Sequence, residues 1–271
     1  QSGYTNTTGS SNVFIGAGAG YTQGTVSGNV IIGFNAGRVN TGSPNTFVGN
    51  LAGRKNTVGV SNTFIGEKAG YANTTGRENT FIGHLSGNLN TVGSKNTFIG
   101  VNSGRQNTTG HQNVFIGESS GFTNTIGTCN ILIGAGAGYT QGTVSGNTFV
   151  GYSAGMVNTS SPNTFIGYLA GRKNTTGQSN TFLGNLAGYS NTIGSCNTYI
   201  GDKAGFSSGT VTNLNTFIGF QAGYNSTGNS NIFIGKNAGY NEIGNNKLYI
   251  DVTRTSTPLI YGEFDNNLVR I

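Results

Sequence analysis

A five-residue string, NTFIG or a close variant, recurs fourteen times, beginning at positions 12, 29, 45, 62, 79, 96, 113, 130, 147, 163, 180, 197, 215 and 231. The steps are mostly 17 residues, with 16 or 18 at a few places. A unit this short cannot bury a core of its own, so it must stack on its neighbours, and the chain reads as a solenoid. Forty-eight glycines would point to low-complexity disorder, were they not held at fixed phases beside Phe and Ile.

The consensus unit is N-T-F-I-G-x-x-A-G-x-x-N-T-T-G-x-x, as in Asn62 to Glu78 and Asn79 to Lys95. Its β-branched and aromatic residues favour strands, and the glycines four, eight and fourteen residues after the first Asn suit corners that need positive φ. No helical period is visible. The expected fold is therefore all-β, a β-solenoid (β-roll or β-helix) of about fourteen turns, each with two short strands and two or more corners. The array spans 1–245 and contains two seven-turn blocks, because 16–29 returns at 134–147 and 51–57 at 169–175, a shift of 118 in both cases. The remaining segment, 246–271, carries three strand-like runs and reads as a C-terminal β cap or neck.

Alternation along the NTFI run sends Asn and Phe to one face, Thr and Ile to the other. Both faces carry a large apolar column, and a single coil can enclose only one. The Phe column includes Phe47, Phe64, Phe81, Phe98 and Phe115; the other includes Ile65, Ile82, Ile99, Ile116, Ile166, Ile200 and Ile218. Burying an Ile or Val side chain contributes ~1.5 to 3 kcal/mol, so the uncovered column predicts self-association through those isoleucines. The expected assembly is a parallel, in-register homotrimer. Residues 3–11 read as an uncapped half turn, which invites either further upstream repeats or head-to-tail stacking into filaments. Two Asn columns, one opening each motif and one through Asn56, Asn73, Asn90 and Asn107, are expected to form side-chain ladders. Asn73 and Asn174 also fit the N-glycosylation pattern.

The position after the Ala-Gly corner forms a candidate ligand ridge of Tyr21, Tyr71, Tyr139, Tyr189, Arg54, Arg105 and Arg172, whose planar groups suit a surface glycan or packing against one another. A rival function is ice binding, because Thr follows Asn in nine of the fourteen motifs. The usual ice-binding face resembles two Thr columns in T-x-T register, whereas here the partner residue is Ile or Val.

Other chemistries find little support. The GAGAG strings lack a strand-loop-helix setting for phosphate. His84 and His111 lie in different phases, and the eight acidic residues show no repeated pairing, so no catalytic residue, metal site or cofactor is expected. The 14 basic residues are scattered, giving a formal charge of +6 without the stripe a nucleic-acid binder carries. No run approaches a membrane span of ~20 apolar residues. Cys129 and Cys196 share a phase and are expected to be small buried thiols. The chain starts at Gln1 without Met, which suggests a secretion signal removed upstream.

The N-T-x-I-G-x-x-A-G-x-x-N-T-T-G units, over about residues 3–245, resemble the repeat shafts of secreted bacterial surface fibres and phage tail-fibre-like proteins, and are similar to the head repeats of trimeric autotransporter adhesins. The tail resembles the segment that precedes a C-terminal intramolecular chaperone in such fibres. The resemblance implies an extracellular, trimeric adhesin shaft at the cell surface that presents other domains, with a glycan-binding tail-fibre segment as a variant. Two departures stand out: autotransporter head repeats are typically nearer 14 residues, with small residues between the apolar ones.

Overall fold

The computed structural model describes residues 1–271; it is all-β with no helix, a β-solenoid of about fourteen turns of ~17 residues. The chain divides into two compact units, Gln1–Gly136 with Thr140–Ser145, and Ala137–Tyr139 with Gly146–Ile271. In the first unit each turn contributes one strand: β1 (Val13–Ile15), β2 (Val30–Ile32), β3 (Asn45–Val48), β4 (Asn62–Ile65), β5 (Thr80–Ile82), β6 (Thr97–Ile99), β7 (Val114–Ile116) and β8 (Ile131–Ile133). Neighbours are parallel and in register, with Thr63 opposite Thr80 and Phe64 opposite Phe81.

The second unit holds β9 (Thr148–Val150), β10 (Asn163–Ile166), β11 (Asn180–Leu183), β12 (Thr198–Ile200), β13 (Thr216–Ile218), β14 (Ile232–Ile234) and β15 (Lys247–Ile250), again parallel. The chain then reverses, and β16 (Ile260–Glu263) and β17 (Leu268–Arg270) add antiparallel strands to β15.

The alternation works as the sequence implies. Phe64, Phe81, Phe98 and Phe115 are fully buried, and their rings stack face to face with centroids 4.7 to 4.9 Å apart. The motif-opening asparagines are buried beside them. Asn62 donates its backbone N–H to Asn45 Oδ1 at 3.0 Å, while its Nδ2 donates to the Gly76 carbonyl at 2.8 Å. The second column forms a side-chain ladder: Asn73 Nδ2 donates to Asn56 Oδ1 at 2.6 Å and Asn90 Nδ2 to Asn73 Oδ1 at 2.8 Å. Each rung of the ladder thus satisfies a buried amide that would otherwise cost ~1 to 3 kcal/mol. Asn73 and Asn174 therefore have their side-chain nitrogens buried and bonded, out of reach of glycosylation in the folded chain.

Three expectations need correction. There is one strand per turn, not two: the Asn-Thr-Thr segment reaches the next turn through N–H groups that converge on one carbonyl, with Thr74 and Thr75 both donating to the Thr91 carbonyl at 2.8 and 3.3 Å, and forms no strand ladder. The glycine fourteen residues after the motif Asn is not there for positive φ. A Cβ on Gly76 would lie 2.3 Å from Asn73 Oδ1 and 2.4 Å from the Gly93 carbonyl oxygen, so close stacking of turns excludes a side chain. Left-handed backbone falls instead, in part, on non-glycine residues just before the motif Asn, including Glu78 (φ 59°), Lys95 (φ 61°) and Cys129 (φ 57°). That corner turns the side chain outward, which is why Cys129 and Cys196 are exposed free thiols rather than buried ones.

Departures from the consensus are compensated locally. Tyr199 replaces Phe in the ring column, stacking 4.8 Å from both Phe182 and Phe217. Its turn is the one 18-residue step, from Asn197 to Asn215, and the longer corner places Thr212 Oγ1 3.3 Å from the Tyr199 hydroxyl. Asn197 Nδ2 donates to the Thr212 carbonyl at 2.7 Å, so the ladder is kept.

Replacing Phe98 by Ala should cost ~3 to 5 kcal/mol, because the cavity sits between two rings that cannot close on it. Amide exchange should rise mainly in β5, β6 and β7. Gly76→Ala should lower the thermal midpoint, whereas Glu78→Gly should raise stability by up to ~1 kcal/mol by relieving the left-handed backbone. Thermal denaturation of the two variants checks both signs.

Candidate functional surface

Strands β1 to β14 contain no charged residue. Their outward row is Thr and Ile, or the Val and Leu that replace them. Ile82, Ile99, Ile116, Ile166 and Ile200 are half-buried by the turns beside them, and Ile65 and Ile218 are exposed. All seven predicted isoleucines thus share one outward phase, within their own units. The Thr hydroxyls of this row, including Thr63, Thr80, Thr97, Thr164, Thr181 and Thr198, make no hydrogen bond within the chain. Those of the Asn-Thr-Thr segment behave differently: Thr57, Thr74 and Thr91 donate to the carbonyls of Thr74, Thr91 and Thr108 at 3.0 to 3.1 Å.

A second outward apolar column was not read from the sequence. Val58, Val92, Ile126, Ile193, Val211 and Ile243 stand where the consensus has the second Thr of its Asn-Thr-Thr segment and are between 45% and 76% exposed, more than Ile65 at 37%. The available signal was an apolar residue alternating with Thr at one phase: Val58, Thr75, Val92, Thr109, Ile126. Attention to the stronger NTFI motif hides it.

The ridge after the Ala-Gly corner is packed on itself. Tyr21 stacks on Tyr4 at 4.9 Å and lies under the Arg38 guanidinium at 5.7 Å. Arg54 donates to the Tyr71 hydroxyl at 2.8 Å, with Lys55 Nζ 5.2 Å from the same ring. Arg105 lies over Phe122 at 5.6 Å. In the second unit Arg172 donates to the Tyr189 hydroxyl at 3.3 Å, and Tyr189, Phe206, Tyr224 and Tyr240 stack in series at 4.8 to 5.3 Å. Tyr139 is half-buried at the same phase. Along these stacks the flat ring faces are occupied by neighbouring turns, leaving edges and hydroxyls toward solvent.

The end of the second unit holds a charged cluster. Tyr249 ends the inner ring column, tilted at 5.2 Å from Phe233, and its hydroxyl donates to Glu242; burial and then that carboxylate push the phenol pKa up. Glu263 accepts from the Tyr261 hydroxyl, from Asn266 at 2.6 Å and from Lys247 at 3.2 Å, which together hold its pKa down at about 2. No three acidic, His or Cys side chains converge, and no helix is long and apolar enough to cross a membrane.

Comparison with known proteins yields no match to a family model, a curated protein or a solved structure.

Because the folded pKa of Glu263 lies below its ordinary 4.5, its contribution is present above that value and is lost as pH falls from about 4.5 toward about 2. Protection of the β15 to β17 amides against exchange, measured relative to the intrinsic rate at each pH, should fall across that window, and Glu263→Gln should flatten the dependence.

Proposed function

We propose that this chain is a non-enzymatic structural module of an extracellular fibre, acting by self-association into a stiff, parallel, in-register homotrimer. One observation carries the reading: an uncharged row of Thr and aliphatic side chains runs outward along the strands of each unit with nothing in the chain to cover it. Soluble monomers rarely leave contiguous apolar patches beyond a few hundred Å². Depletion of charge from such a row is what the centre of a protein interface requires. The resemblance to surface-fibre and tail-fibre shafts supports reading such a module as a cell-surface adhesin shaft that spaces other domains, with head-to-tail filaments as a further level of assembly. Glycan binding on the aromatic ridge has weaker support, since the ring faces a sugar would stack on are taken by neighbouring turns.

The unpartnered Thr hydroxyls favour a second reading, an ice-binding face. Regularly spaced hydroxyls and methyls on parallel strands could order water in register with a lattice, but only on a face left uncovered.

Sedimentation velocity over a wide concentration range separates the two. The fibre reading expects a stable multimer, and Ile82→Lys with Ile99→Lys should weaken association at least ~100-fold, since each buried unpaired charge costs ~1 to 3 kcal/mol or more. A monomer at every concentration that shows thermal hysteresis would favour ice binding instead.

A further inference from the structure

A closed ring of three copies needs two different contact patches on each copy, because every subunit meets one neighbour with one patch and the other neighbour with the second. A twofold dimer needs only one. The chain offers two. The first is the Thr/Ile row of the strands, and the second is the column that includes Val58, Val92 and Ile126. The left-handed corner before each motif Asn, as at Lys95 between Val92 and Ile99, separates the two rows along each turn.

Building on the multimeric reading, we propose that these two rows are the two halves of one heterologous contact: the Thr/Ile row of each copy packs against the Val/Ile column of the next, around a threefold ring. Two observations select a second copy of this chain as the occupant. The positions of both rows recur once per turn, apolar at every turn in the first and, from Val58 to Ile126, at alternate turns between threonines in the second, so their steps match only in a solenoid of the same period. Here the inner rings advance 4.7 to 5.0 Å per turn. In the first unit neither row carries charge: the strands have none, and Thr57-Val58, Thr74-Thr75, Thr91-Val92, Thr108-Thr109 and Thr125-Ile126 have none, while Arg77, Glu78 and Lys95 are confined to the corner between.

Using only the Thr/Ile row, as a twofold pair would, leaves the more exposed column wet.

The test is disulfide trapping in the full chain with Cys129→Ser and Cys196→Ser. Val92 and Ile99 are seven residues apart, less than one turn in height, so in an in-register ring Val92 of one copy lies beside Ile99 of the next. The double variant Val92→Cys/Ile99→Cys should convert under mild oxidation mainly to covalent trimer, and each single variant should give no covalent product. Val58→Cys with Ile65→Cys is an independent pair two turns away, in case the first disturbs folding. Covalent dimers from either single variant would show a row meeting itself and overturn the proposal. So would a chain that sediments as a multimer but whose two double variants stay unlinked. A chain that sediments only as a monomer overturns the self-association reading, and the proposal with it; sedimentation and trapping therefore fail separately.

Discussion

Everything in this fold depends on each turn lying in register on the next. A 17-residue unit has too little apolar surface to hold itself together, so ring must meet ring and amide must meet amide at the same phase in successive turns. The Phe stack supplies dispersion and burial, and the Asn ladder satisfies polar groups that the same close approach would otherwise strand. Neither column works without the other. A slip of one residue would drive Thr and Ile inward and place Asn and Phe in water.

That constraint explains where the chain tolerates change. Gly66 and Gly76 cannot take a side chain, because a Cβ would meet the backbone of the following turn at 2.5 and 2.4 Å. The corner before each motif Asn is free by comparison, and there the chain accepts Glu, Lys, Gln, Cys or Ser in left-handed backbone. Such strain is offset by neighbours that fix the corner on both sides. Tyr199 shows how a core change is absorbed: a bulkier, polar ring is matched within its own turn by a longer corner that brings Thr212 to its hydroxyl. Local compensation of this kind suits an array that grew by duplication, since the repeated 118-residue block carries its irregular turns with it.

The outward surfaces divide by chemistry. Charge collects on corners and on the aromatic ridge, where Arg and Lys pack over Tyr and Phe and stiffen successive turns. The strand row and the Val/Ile column stay uncharged. The proposed role as a component of a larger assembly rests on this division, in which the exterior rows differ from the corners by lacking charge and repeat at the turn spacing.

The repeat period, the inward Phe and Asn, the outward Thr and Ile, and the Asn ladders were all legible in the sequence, because strand alternation and a fixed period determine which groups share a face and which stack. The tertiary structure decided what periodicity leaves open. It kept the Asn-Thr-Thr segment from forming a second strand, assigned Gly76 to steric clearance, turned Cys129 outward, and closed the aromatic ridge on itself. It also brought out the Val58, Val92 and Ile126 column, whose importance lies in exposure. A linear string states the order of residues, while clearance, corner direction and the covering of a ring face are set by the turn above and the turn below.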